Sequence, residues 1–238
     1  MATANRLDRT RRSSANGNER SLDADLVDWN DRMYLKHGTS YERGIIRHIQ
    51  NARVAAVLRL ARVGSTDAVL ELGCEAGRLL SQVPPCRRLV GADISQRALA
   101  DAQELFRKRG RAAEFQQVDA QHPLPFARGE FNVMVCSEML EHVREPRVVL
   151  ESIHAVADAS TRVVLTVPLE APKVAIKRLL ARVGVLELLF PGIEPGQSEW
   201  HLQSFSRRML LELTGSLFAL QRGEVVWGCH YVALFSKR

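Results

Sequence analysis

The sequence predicts an α/β protein: a doubly wound sheet of seven mostly parallel strands, ending in an antiparallel hairpin. Three observations predict it. From Ala68 onward, short apolar β-branched runs alternate with helical stretches, the pattern of parallel strands joined by crossover helices. The first run leads directly into a glycine-containing turn, Gly73-Cys74-Glu75-Ala76-Gly77. The last two runs are separated only by Trp227, Gly228 and Cys229, too short a link for a crossover helix, so they must pair antiparallel.

Taken in order, Leu22 to Leu35 and Gly44 to Arg62 space their apolar residues as helices do, and both precede the first strand. The strands follow at Ala68 to Leu72, Arg88 to Ala92, Ala113 to Val118, Glu130 to Cys136, Thr161 to Val167, Phe218 to Val226 and His230 to Ser236. Helices are expected to start near Arg78, at Ser95 as N-cap, and at Ser137. Residues 168–204 form an insertion before the last helix, in the place where such a fold carries a cover for its ligand. The core of that insertion, Lys173 to Phe190, reads as a basic amphipathic helix. An ordinary core-facing helix is the reading preferred, a lipid-surface or substrate-roofing helix the alternative. Pro191 to Gly196 read as a mobile lid.

At 238 residues, 46% hydrophobic and 25% charged, the chain has the composition of a globular protein with a single catalytic domain, residues 22–238. No window holds the roughly 18 uncharged apolar residues of a spanning helix, and the N-terminus lacks a signal-peptide core, which predicts a cytoplasmic protein. Cys74, Cys86, Cys136 and Cys229 have neither disulfide-framework nor zinc-site spacing. The net charge of +6 is half explained by residues 1–20, where five arginines stand against Asp8 and Glu19 for a net +3. Residues 1–21 are therefore expected to be a solvated, disordered basic leader rather than a nucleic-acid module.

The strand tips carry the chemistry. A Cβ at Gly73 would block close approach of a ligand to the backbone. Asp93 ends the second strand about 20 residues past that turn, where a carboxylate can accept both hydroxyls of a ribose. Asp119 and Ala120 end the third strand. The run Val69-Leu70-Glu71-Leu72-Gly73-Cys74-Glu75-Ala76-Gly77 resembles motif I of the class I S-adenosylmethionine-dependent methyltransferases, with Glu75 replacing the middle glycine of G-x-G-x-G. An anionic loop would repel a dinucleotide pyrophosphate but suits a sulfonium and an ammonium. The resemblance implies a Rossmann-like methyltransferase fold and S-adenosylmethionine as cofactor. It assigns Glu71, Gly73, Cys74, Glu75, Gly77, Asp93, Ile94, Asp119, Ala120 and Ser137 to its binding, with Glu71 at the amino-acid end and Asp119 at the adenine.

Ser137-Glu138-Met139-Leu140-Glu141-His142-Val143 resembles the S-E-x-L-E-H-V signature of that family, including members acting on ubiquinone precursors and on small-RNA 3′ ends. On a helix from Ser137, Glu138, Glu141 and His142 would share one face. They and His201 are the candidate catalytic residues, a histidine serving as base toward a hydroxyl acceptor. The resemblance also implies a divalent-metal alternative with Glu138, Glu141, His142 and distal His201 as ligands. The competing reading needs no metal: Glu138 lines the cofactor pocket while Glu141 and His142 hold helix to loop. The expected substrate is a small-molecule or lipid-like acceptor, methylated on oxygen, with peripheral membrane contact as an accessory partner. RNA methylation and a non-catalytic scaffold are the rival functions.

Overall fold

The computed structural model describes residues 24–37, 44–189 and 201–238. The expected leader and the Pro191 to Gly196 lid lie outside them.

Two helices, α1 (Ala24–His37) and α2 (Gly44–Ala61), precede the sheet. The strands are β1 (Ala68–Leu72), β2 (Arg88–Asp93), β3 (Glu114–Gln117), β4 (Val133–Ser137), β5 (Arg162–Pro168), β6 (Phe218–Val226) and β7 (His230–Lys237). Between them run α3 (Gln96–Lys108), α4 (Pro146–Val156), α5 (Glu170–Arg182), α6 (Leu186–Leu189) and α7 (Arg207–Thr214). The seven strands lie in the order β3-β2-β1-β4-β5-β7-β6. The first five are parallel, and β7 enters antiparallel between β5 and β6.

Alternation along the strands sorts side chains onto two faces. Val69, Val133, Val135 and Val164 pack with Val54, Val57 and Leu60 of α2. Their neighbours Leu70, Met134, Val163 and Leu165 pack with Val149, Leu150 and Ile153 of α4 on the other side. A leucine buried as fully as Leu150 contributes about 2 kcal/mol. The order of strand addition reverses between the parallel neighbours β1 and β4, since β1 is followed outward by β2 and β3 and β4 by β5. That switch point opens a crevice beyond the strands' carboxyl ends.

Four local expectations are corrected. No α-helix starts near Arg78; a single 3-10 turn, Leu80–Gln82, forms before Val83-Pro84-Pro85 ends it. β4 starts at Val133 rather than Glu130, because Glu130 pairs with Arg88 and Asn132 Oδ1 accepts from the Ala68 N–H. The insertion helix is broken between α5 and α6, where Gly184 adopts φ +74°. Finally, Ser137 closes β4 instead of capping a helix, and only a 3-10 turn, Leu140–His142, follows.

Candidate functional site

A cavity of about 850 Å³ opens at the carboxyl ends of β1, β2 and β4. Glu71, Gly73, Cys74, Glu75, Asp93, Ile94, Asp119, Ala120 and Ser137 all line it. Gly77 does not: its φ is +71°, and a Cβ there would stand 3.1 Å from Ala102 Cβ. Its place is in the close packing of loop against α3.

The β1 loop is shaped by its backbone. Gly73 has φ +70°, and an added Cβ would lie 2.7 Å from Met139 Cγ. Glu75 sits at φ +47°, so the residue replacing the expected glycine keeps the left-handed turn. Asp93 fastens this loop to the next element: Oδ2 accepts from the Glu75 N–H at 2.9 Å and Oδ1 from the Ser95 N–H at 2.9 Å. Ser95 then caps α3, its Oγ accepting from the Ala98 N–H at 3.0 Å.

Buried carboxyl groups gather at this end of the cavity. Glu71 is buried on β1, and loss of water pushes its carboxyl up to about 8 despite Arg53 nearby. Burial, with Asp93 beside it, pushes Glu75 up to about 7. Burial also raises Asp93. Glu71 Oε2 and Glu75 Oε1 are buried with no hydrogen-bond partner, so a cationic ligand donor would relieve an existing cost. A positively charged nucleoside bearing an ammonium fits this donor-poor wall. Arg53 of α2, whose guanidinium donates to Ser137 Oγ, also lines the cavity and suits a ligand carboxylate.

Beyond β4, the four candidate catalytic residues divide into two sets. Glu138 takes φ +55° and turns toward the sheet, where Oε1 accepts from Thr166 Oγ1 at 3.1 Å and Oε2 lies 2.9 Å from His230 Nδ1. Lys173 Nζ stands 3.9 Å from the same oxygen. His230, Lys173 and Arg53 hold Glu138 well below the usual carboxylate range against its burial, while burial pulls His230 itself down. Glu141, His142 and His201 form the second set, with one ligand atom from each lying within 4.8 Å of the others. The Glu141 carbonyl accepts from the Leu202 and Gln203 N–H groups, which docks His201 edge-on to His142 with ring centroids 5.1 Å apart. Glu170 Oε1 lies 2.8 Å from His201 Nδ1 and sets that ring's orientation. Both Glu141 carboxylate oxygens are buried without a hydrogen-bond partner, and burial together with Glu138 raises this carboxyl well above its ordinary value. Expecting one helix face to present Glu138, Glu141 and His142 was wrong, because no α-helix forms there and the left-handed residue at Glu138 sends its side chain the other way.

Sequence reasoning missed Arg53, Lys173 and His230. Arg53 could have been found as a charge interrupting the apolar run from Ala52 to Val57. His230 carried no signal, because only the hairpin register opposite Pro168 brings it to the cavity.

Residues 69–159 match the methyltransferase domain family. A ubiquinone biosynthesis O-methyltransferase of Pseudomonas aeruginosa (strain UCBPP-PA14) is 30% identical over 123 residues, 51% of this chain and 53% of that protein. The chain thus matches about half the length of such relatives. Magnesium protoporphyrin IX methyltransferase from Synechocystis PCC 6803, solved with bound SAH, superposes with a TM-score of 0.65 at 17% identity, covering 91% of this chain and 100% of that one. Geranyl diphosphate methyltransferase, solved with SAM, gives 0.61 at 13% identity over 81% and 87%. At such identities the two solved structures speak for the fold alone. Residues 69–159 thus match a methyltransferase domain, and in motif, strand order and cavity the chain is similar to the class I S-adenosylmethionine-dependent methyltransferases.

Proposed function

We propose that this protein transfers a methyl group from S-adenosylmethionine to an oxygen of a small-molecule or lipid-like acceptor. One observation supports it above the others: Glu71, Glu75, Asp93 and Asp119 line a single cavity, two of them with buried, unpartnered oxygens suited to a cationic nucleoside. In this reading, Glu71 and Glu75 hold the ammonium end, Arg53 the carboxylate, Asp93 the ribose and Asp119 the adenine. When bound, S-adenosylmethionine supplies a methyl group on an electron-poor sulfur that leaves without acid assistance.

The chain's own work is then to hold the acceptor in line, exclude water and remove a proton. His142 is the proposed base toward an acceptor hydroxyl, with His201 against it and Glu141 beside it at 3.9 Å. Oxygen methylation is the activity named for the ubiquinone biosynthesis relatives, and the apolar side chains of the insertion favour a greasy acceptor.

The test is calorimetry with S-adenosylmethionine, followed by methyl transfer to a simple catechol. Binding in the micromolar range with turnover that falls at least 100-fold in His142→Ala supports the reading. No binding at millimolar ligand would leave a non-catalytic scaffold ahead.

A second reading adds a divalent cation on Glu141, His142 and His201, favoured by the two orphaned Glu141 oxygens facing two imidazoles. The cation would polarise an acceptor hydroxyl and lower its pKa. Loss of turnover in excess chelator, restored by Mg²⁺ or Zn²⁺, would establish it, and unchanged turnover would remove it.

A further inference from the structure

The sequence left two roles open for the insertion helix, and its placement departs from the core-facing one. On α5, Ile176, Leu179 and Val183 stand at i, i+3 and i+7, so they form one row, and all three are exposed, Leu179 and Val183 at 61% each. Leu188 of α6 continues the apolar surface at 80% exposure. With 3.6 residues per turn, Arg182 and then Arg178, both exposed, follow this row round the outward side of the helix, while Lys173 and Lys177 lie toward the cavity. Glu170, the only acid on α5, is buried against His201. The outward face of the helix is therefore greasy along one edge and positive along the other.

A second exposed group lies at the same end of the molecule. Trp227, at the tip of the β6–β7 hairpin, is 59% exposed. Two residues on, the Cys229 carbonyl accepts from the Leu169 N–H at 2.8 Å, immediately before α5 begins. An indole beside a basic amphipathic helix is the composition that settles at a bilayer's headgroup level, apolar side chains sunk and lysine and arginine heads among lipid phosphates.

We infer that α5, α6 and Trp227 form a docking surface for an anionic lipid bilayer. Charge complementarity selects this occupant: a second copy of the chain would set Arg178 and Arg182 against their own counterparts, whereas an anionic surface neutralises them. Lys173, Ile176 and Lys177 also line the cavity, so the docked helix would set the cavity mouth at the membrane surface. This deepens the reading of a lipid-like acceptor and rests on that reading only for its purpose, since bilayer binding is measured without any methyl transfer.

The experiment is co-sedimentation of the full chain with vesicles of phosphatidylcholine alone or mixed equally with phosphatidylglycerol. The expected result is partition onto the anionic vesicles only, weakened at least tenfold in the Leu179→Asp/Val183→Asp variant and roughly 25-fold in Arg178→Gln/Arg182→Gln, about fivefold per arginine lost. Trp227→Ala should remove the vesicle-induced blue shift of tryptophan emission. S-adenosylhomocysteine affinity, measured by calorimetry, serves as the control that each variant is folded; its absence in the wild type would sink the methyltransferase reading while leaving the docking result intact. Wild-type protein that stays in the supernatant overturns the proposal. So does vesicle binding that survives Leu179→Asp/Val183→Asp, which would assign the affinity to the arginines of residues 6–20. A wild-type dimer in sedimentation velocity that the same variant dissolves, without vesicle binding, would give the face to a second copy and also overturn it.

Discussion

His230 Nδ1 lies 2.9 Å from Glu138 Oε2, joining the tip of β4 to the start of β7 across the end of β5. Both side chains are largely buried, and the contact is one of charge and distance rather than of ideal hydrogen-bond alignment. Removing the carboxylate leaves Lys173 and Arg53 facing one another without this counter-charge and His230 without its partner. Glu138→Gln is expected to lower stability by about 3 kcal/mol in denaturant titration. Because Glu138 is held ionised below its unfolded range, its contribution is present above the unfolded pKa and is lost as pH falls through the lower folded value. The wild type should therefore lose its advantage over Glu138→Gln in acid. A variant gap independent of pH would show that Glu138 acts by packing alone.

Glu71 and Glu75 work in the opposite direction. Their folded carboxyls are raised to about 8 and about 7, so in the free protein they bind protons that the unfolded chain has released. Stability from these groups is present below the unfolded pKa and falls as pH rises toward 8. Cofactor binding should show the reverse slope, since an ammonium favours the ionised forms. S-adenosylhomocysteine affinity is expected to rise several-fold from pH 6 to pH 8, and Glu71→Gln should flatten the rise while weakening affinity. A wild-type affinity flat across that window would remove both carboxylates from the cationic end of the pocket.

Asp93→Ala should do more than delete one ligand contact. It strands the N–H groups of Glu75 and Ser95, at a cost of about 1–3 kcal/mol each if neither finds water. The expected outcome is a lower melting temperature together with cofactor affinity reduced at least tenfold. Asp93→Asn keeps an acceptor for one N–H and should recover part of the stability with less of the affinity. Equal affinity in all three proteins would contradict the ribose assignment.

Gly73→Ala tests the loop itself. The left-handed conformation costs a residue with a Cβ about 1–2 kcal/mol, and the new methyl would collide with Met139. Adding Met139→Ala should relieve the collision and leave the backbone penalty, so the double variant is expected to fall between Gly73→Ala and wild type in thermal unfolding. A double variant no better than the single would mean that backbone conformation alone sets the cost.

The strands were legible because β-branched runs such as Val163 to Val167 encode their burial locally, and the hairpin because three residues cannot cross a sheet. The strand-tip acids were legible for the same reason, since their places depend on where each strand ends. What escaped was whatever depends on distant partners. Glu138 leaves the predicted helix because Thr166, Lys173 and His230, none of them near it in sequence, draw its carboxylate inward. The helix expected at Arg78 is cut short by two prolines that periodicity alone discounted. On α5 the pattern revealed an apolar row, but whether that row faces the core or outward depends on elements elsewhere in the chain.

Asp93 engages the main chain on three sides: its carboxylate receives Glu75 and Ser95, and its carbonyl accepts from the Val118 N–H at 2.9 Å. Three successive connections thus share one anchor and are braced by hydrogen bonds within the protein rather than by whatever molecule arrives. The floor of the pocket is a rigid socket, and a ligand entering it should find its contacts waiting. Association ought then to proceed in a single fast phase, with any slow step belonging to the helices above it.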